Sequence, residues 1–215
     1  MSAVKICGLK DAAAVEAALQ GGARYLGFVF FPKSPRHIAP EAAASLAGRA
    51  RGRAEIVAVT VDADDELAVH ISKVLKPDYF QAHGQESPAR MSTLRNLSAK
   101  GVIRAMAIAK QADLAEAARF EPNTDMFLFD AKPPPGAELP GGNGAAFDWP
   151  ILKGVRLKRP WFLSGGLHPE NVAEAITAAG ADHVDVSSGV ESAPGLKDPT
   201  RIAAFLAAAR AGPRL

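Results

Sequence analysis

Four kinds of residue in this 215-residue chain stand where chemistry is possible, each after a short apolar run. Cys7 closes "VKIC" and Asp130 closes "MFLF", while His83 follows "YFQA" and Asp62 follows "IVAVTV". Two glycine-rich turns, "LSGGLHPEN" with Ser164, Gly165 and Gly166, and "DVSSGVE" with Ser187, Ser188 and Gly189, end two further runs. A carboxylic acid and a thiolate that face one substrate can give and take protons, which is the minimum equipment of an isomerase. Glycine turns that bare several backbone N–H groups beside a helix start suit a phosphate. Arg36, in the proline-stiffened stretch "FFPKSPRHI", could hold a carboxylate or stack on an aromatic ring. Each residue also has a plainer reading. Free cysteine is often simply buried, a lone arginine is often solvated, and a histidine can be a satisfied structural group. Asp130 is harder to set aside, because a carboxylate after four apolar residues is costly unless it reaches solvent or a partner.

The elements that must position these residues alternate along the whole chain. Apolar, β-branched runs at Val4 to Cys7, Tyr25 to Phe31, Ile56 to Val61, Tyr79 to Ala82, Val102 to Ile108, Met126 to Phe129, Trp161 to Leu163 and His183 to Val186 predict eight buried parallel strands. Helical spacing fills the gaps at Ala12 to Leu19, Pro40 to Ala50, Asp65 to Leu75, Ala89 to Ala99, Ala112 to Arg119, Pro169 to Ala179 and Pro199 to Arg210, and is weakest over Phe147 to Val155. Eight such units predict an α/β fold, a single-domain (β/α)8 TIM barrel spanning residues 1–215; an open doubly wound sheet is the alternative. No glycine-rich dinucleotide fingerprint follows the first strand. The chain also echoes itself: Gly8-Leu9 and Gly166-Leu167 each precede a Gly-Ala pair, Gly22-Ala23 and Gly180-Ala181, by fourteen residues. In such a barrel the active site lies at the C-terminal strand ends, where the polar residues above fall.

Composition narrows the partners. With 48% hydrophobic residues the core is ample, and 25 basic against 23 acidic residues leave a net charge of +2, too weak a field to make nucleic acid or a membrane surface the main partner. One cysteine cannot form an internal disulfide, and no Cys, His and carboxylate cluster has metal-ligand spacing. The expectation is a cytoplasmic protein with no structural metal, acting on a small phosphorylated molecule as monomer or homodimer. The chain has no charged leader before an apolar segment, and "YLGFVFF" is far short of a membrane span. The long irregular stretch Ala131 to Trp149 reads as a loop that is either functional or disordered.

"KICGL", "GFVFFPKSPRHI", "QAHG", "FDAKPP", "GGNGAAFDW", "SGGLHPENV" and "DVSSGVE", in this order from Lys5 to about Glu191, resemble the N-(5'-phosphoribosyl)anthranilate isomerases of the tryptophan pathway. The resemblance implies a cofactor-free Amadori rearrangement that turns an aminoaldose into an aminoketose. It implies Asp130 as the general acid that protonates the furanose oxygen and Cys7 as the base that removes the proton from the second sugar carbon. Arg36 would meet the anthranilate group, His83 and Asp185 would line the pocket, and Gly165, Gly166, Ser187, Ser188 and Gly189 would hold the phosphate. The 131–149 loop would partly cover the reactive Schiff base. Two departures touch loop shape and packing: Asn143 replaces the usual threonine of "GGTG", and Ala82 the leucine of "QLHG". A phosphosugar-binding barrel without catalysis is the rival from another class, and it would be indifferent to Cys7→Ser.

Overall fold

In the computed structural model, eight parallel strands close into a barrel in chain order: β1 (Ala3–Cys7), β2 (Tyr25–Phe30), β3 (Glu55–Thr60), β4 (Tyr79–Ala82), β5 (Gly101–Ile108), β6 (Met126–Ala131), β7 (Trp161–Leu163) and β8 (His183–Val186), which returns to β1. The structure describes residues 2–132, 136, 141–142 and 147–211. The loop expected over 131–149 falls largely outside them, as does Asn143. The eight predicted strands recur within a residue or two of their expected ends, because a strand buried on both faces is a near-continuous apolar run bounded by turns.

Side chains alternate between two cores. Leu26, Phe28 and Phe30 of β2, Ile56 and Ala58 of β3, and Phe127 and Phe129 of β6 pack outward in the larger cluster, with helix residues such as Val15, Ile71 and Ile176. Cys7, Tyr25, Val29, Val57, Val59, Ile103, Ala105, Met126, Leu128 and Phe162 form a second cluster, the barrel interior. Inward positions therefore include Cys7 and, two residues beyond Leu128, Asp130. By the same alternation Lys5 faces inward two residues before Cys7.

The outer helices are α1 (Ala12–Gln20), α2 (Pro40–Ala47), α3 (Asp65–Leu75), α4 (Pro88–Asn96), the single turn α5 (Ala117–Phe120), α6 (Val172–Ala179) and α7 (Pro199–Ala211). Asp11, Asp64 and Ser87 cap α1, α3 and α4 by accepting backbone N–H bonds. Two helices start later than their spacing suggests, and side chains explain both. The Asp113 carboxylate accepts from the N–H groups of Ala109 and Lys110, tightening Gln111–Glu116 into a 3-10 turn. Asn171 accepts from the His168 N–H and donates to the Gly166 carbonyl, so the first turn expected from Pro169 goes to shaping the glycine-rich loop. After β6 only a 3-10 turn, Trp149–Leu152, stands where a helix is least convincing.

The internal echo is structural. Gly8, Gly22, Gly166 and Gly180 all adopt left-handed backbone, and Ala23 and Ala181 donate the same type of bond, to Ala18 O and Ile176 O, at 2.9 and 3.1 Å. One element has no counterpart in the predicted pattern: a small antiparallel ribbon, β9 (Glu191–Ala193) and β10 (Leu196–Lys197), turned by Pro194 and Gly195. No described helix is long and apolar enough to cross a membrane.

Candidate active site

The C-terminal strand ends surround an open cleft. Of the residues expected there, Cys7, Arg36, His83, Asp130, Gly165, Gly166, Asp185, Ser187 and Ser188 all line it. Gly189 does not. It packs behind the wall against the Leu167 carbonyl, where any Cβ would collide, so its part is to let the β7 and β8 loops approach each other.

Asp130 sits near the end of β6, where its inward parity delivers the carboxyl to the cleft. Its Oδ1 accepts from the N–H of Ala131 at 2.9 Å, which fixes the rotamer and turns Oδ2 outward, 3.5 Å from His83 Nε2. Gly141 comes down over this pair so closely that a Cβ there would lie 2.6 Å from His83 Nε2 and 2.7 Å from Asp130 Oδ2. Gln81 Nε2 stands 3.1 Å from His83 Nδ1 and holds the ring from behind. The Gln81 side-chain oxygen is buried and has no hydrogen-bond partner among the described residues, although Gln81 lines the cleft.

Cys7 ends β1 on the far wall. Only 7% exposed, its thiol is pushed up from the ordinary cysteine value by burial, against the downward pull of the Lys5 ammonium. Lys5 is wholly buried and paired with Asp185 Oδ1 at 2.8 Å across the β1–β8 register, and Ser164 donates to Asp185 Oδ2 at 3.2 Å. The Asp185 carboxylate and the Cys7 thiol outweigh the effect of burial and hold Lys5 above the ordinary lysine value.

The two glycine-rich turns are neighbours, because β7 and β8 pair. Gly165 and Gly166 are both left-handed, with φ of 87° and 63°, and a Cβ on Gly165 would stand 2.7 Å from Ala131 N. Only glycine allows this backbone so close to the end of β6. Ser187 Oγ donates to the Cys7 carbonyl at 3.2 Å, tying the second turn to β1.

Arg36 is held rather than free. Its Nε and Nη2 donate to the two oxygens of Glu191 at 2.7 and 2.9 Å, and Nη2 reaches the Gly142 carbonyl at 3.3 Å. Lys197 donates to the same Glu191 Oε1 at 2.7 Å and to the Ser187 carbonyl at 2.9 Å. Burial raises the Glu191 carboxyl, but Arg36 and Lys197 overcome it and hold the group below the usual carboxylate range. The ribbon β9–β10 is thus a brace that clamps the arginine and ties it to the second glycine turn. Lys5, Gln81, Glu191 and Lys197 escape a reading confined to strand-end residues. Alternation would have found the first two, since Lys5 lies two residues before Cys7 and Gln81 two before His83. The ribbon is too short to leave a periodic signal.

Residues 4–208 match the family model for N-(5'phosphoribosyl)anthranilate (PRA) isomerase. The chain is 51% identical over 211 residues to the N-(5'-phosphoribosyl)anthranilate isomerase of Caulobacter sp. (strain K31), covering 98% of this chain and 99% of that one. The crystal structure of phosphoribosyl anthranilate isomerase from Thermotoga maritima superposes with a TM-score of 0.87 at 33% identity, covering 98% of this chain and 99% of that one. A crystal structure of a phosphoribosyl anthranilate isomerase in complex with reduced 1-(o-carboxyphenylamino)-1-deoxyribulose 5-phosphate superposes at 0.82 with 31% identity, again over 98% and 99% of the two chains. Fold, strand-end residues and near-full-length similarity agree: the chain belongs to the N-(5'-phosphoribosyl)anthranilate isomerase family.

Proposed function

We propose that this protein isomerises N-(5'-phosphoribosyl)anthranilate to 1-(o-carboxyphenylamino)-1-deoxyribulose 5-phosphate in tryptophan biosynthesis, with Asp130 as general acid and Cys7 as general base. The observation that carries the reading is that these two groups line one cleft together with the paired glycine-rich turns. A phosphate seated on those turns would leave the ribose between β1 and β6.

Protonated Asp130 gives its proton to the furanose ring oxygen as the bond from that oxygen to the first sugar carbon breaks. The lone pair of the anthranilate nitrogen fills the vacancy, leaving an open-chain protonated Schiff base. Cys7 thiolate then removes the proton from the second carbon, and the electron pair of that bond flows toward the iminium nitrogen. The resulting enolamine tautomerises to the ketone. The second carbon beside an iminium is acidic enough for a modest base, and proton transfer by positioned groups contributes on the order of 10² to 10⁴ in rate for each. Each step moves a proton between the substrate and a side chain or solvent with no net oxidation or reduction, so the sequence of steps calls on no redox cofactor.

Arg36, with two of its nitrogens on Glu191, has Nη1 beside Gly142 at the cleft wall, without a hydrogen bond to any described residue, where it would meet the anthranilate carboxylate. The test is conversion of phosphoribosylanthranilate, generated in situ, followed by its fluorescence decay and by chromatographic identification of the deoxyribulose product. Rapid decay with the matching product is expected. Folded protein that binds the substrate without converting it would replace this reading with that of a binding barrel.

A further inference from the structure

Lys5 is among the largest fully buried side chains in the molecule, and the steps above do not use it. Its ion pair with Asp185 stands in register on adjacent strands inside the barrel, where two apolar side chains would pack as well. A buried pair of this kind is often no more stabilising than an apolar replacement, because desolvation offsets the attraction. Its presence calls for another account, and the nearest reactive group is Cys7, on the same inward face of β1.

Gly27 supplies the geometry. It pairs with Cys7 across the β1–β2 register, in the interior of a strand whose other five residues all carry side chains. A Cβ at Gly27 would lie 3.1 Å from Cys7 Sγ and 3.1 Å from Lys5 Nζ. Thiol and ammonium therefore close on the same small space, which stays open to both only because the partner strand offers no side chain. We propose that Lys5 is a positioning residue for Cys7: its ammonium, pinned by Asp185 and admitted by Gly27, fixes the sulfur at the cleft wall and stabilises the thiolate from beneath. The inference rests on Cys7 being the base of the proposed reaction.

The charges around the sulfur agree. Lys5 on its own strand pulls toward the thiolate, Asp185 from β8 opposes it less strongly, and Lys197 from β10 adds a smaller pull of the same sign as Lys5. Arg36 crosses beside Gly8, the next residue after Cys7, with its charge taken up by Glu191. Burial still leaves the thiol above its ordinary value, so Lys5 limits a penalty that would otherwise be larger.

Cys7 is the only cysteine, so its titration can be read from the whole chain without substrate. The experiment measures the rate of iodoacetamide alkylation against pH for wild type, Lys5→Met and Lys5→Met/Asp185→Asn, with the acid limb of kcat/KM measured in parallel. The double variant leaves no unpaired buried charge and serves if the single one does not fold. Gly27→Ala, which keeps both charges and wedges the space between them, is a third probe. The alkylation midpoint is expected to rise by at least about one pH unit in Lys5→Met, as for loss of an opposite charge within about 4–6 Å, to rise by less in the double variant, where the opposing Asp185 charge is lost as well, and to rise in Gly27→Ala. A midpoint unmoved in the folded lysine variants, with only melting temperature affected, would overturn the proposal. If the midpoint shifts while the acid limb of kcat/KM stays in place, Lys5 still tunes Cys7, and it is the assignment of Cys7 as base that fails.

Discussion

The two ends of the barrel are built from the same inward alternation and serve opposite purposes. At the N-terminal end, the first residues of the strands close the interior with rings: Tyr25 meets Phe162 edge-on at 5.1 Å and Tyr79 at 6.1 Å, and Phe162 meets His183 at 5.2 Å. At the C-terminal end, the inward residues are Cys7, Asp130 and Asp185, with Lys5 beneath and Arg36, Glu191 and Lys197 above. Because all eight strands run the same way, a residue's position along its strand decides which end it serves. An aromatic plug can be rigid and dry, whereas a site must keep polar groups desolvated and paired. The comparison assigns stability to one end and turnover to the other, and substitutions can break that division.

The largest effect on folding is expected from Phe162→Ala. Phe162 is fully buried in the plug, and its truncation should cost about 3–5 kcal/mol of stability in a denaturant titration, with turnover of the folded fraction unchanged. A large loss of kcat in folded Phe162→Ala would blur the two ends. At the other end, Glu191→Gln removes the charge from the clamp on Arg36. Charge-assisted hydrogen bonds are worth about 1.5–3 kcal/mol, so KM should rise roughly ten- to a hundredfold with a smaller change in kcat. A drop in kcat at constant KM would show that the ribbon acts on the chemical step instead.

The pH profile sharpens the comparison further. Burial pushes the Cys7 thiol up, and a base acts only when deprotonated, so kcat/KM should climb about tenfold per pH unit below the thiol's value as acidity falls. An acid limb lying below the ordinary cysteine range would contradict this. The smallest effect belongs to the plug. Burial, with Arg24 adding to it, holds His183 below its ordinary 6.5, so the folded state binds its proton later than the unfolded chain does. The unfolded state then carries more protons, and stability is lost as pH falls through the ordinary histidine value toward the folded one. His183→Phe should flatten that acid-side loss in melting temperature against pH.

Much of this division was legible in the residues. Strands buried on both faces announce themselves as apolar runs, and a cysteine or an aspartate that ends one is visible at once, as Cys7 and Asp130 were. The two turns carried their own signal in the clustered serine and glycine of "SGG" and "SSG". What sequence reading missed depends on register or on short structure. Lys5 and Asp185 are 180 residues apart and meet only because β8 closes on β1. Glu191 and Lys197 act through a ribbon of three and two residues. Helix starts shifted where the Asp113 and Asn171 side chains accept from backbone N–H groups just ahead of the expected first turns. Gly189 stands out in the sequence as part of a turn, but that its lack of a side chain lets the β7 and β8 loops close on each other is visible only in the packing.

The central claim is that Asp130 and Cys7 carry the chemistry without carrying the fold. The most direct test measures kcat/KM for phosphoribosylanthranilate, beside melting temperature, in wild type, Cys7→Ser and Asp130→Asn. The account predicts a loss of about 10² to 10⁴ in rate for each substitution, with cooperative unfolding retained near the wild-type temperature. Rates close to wild type in either folded variant would contradict it.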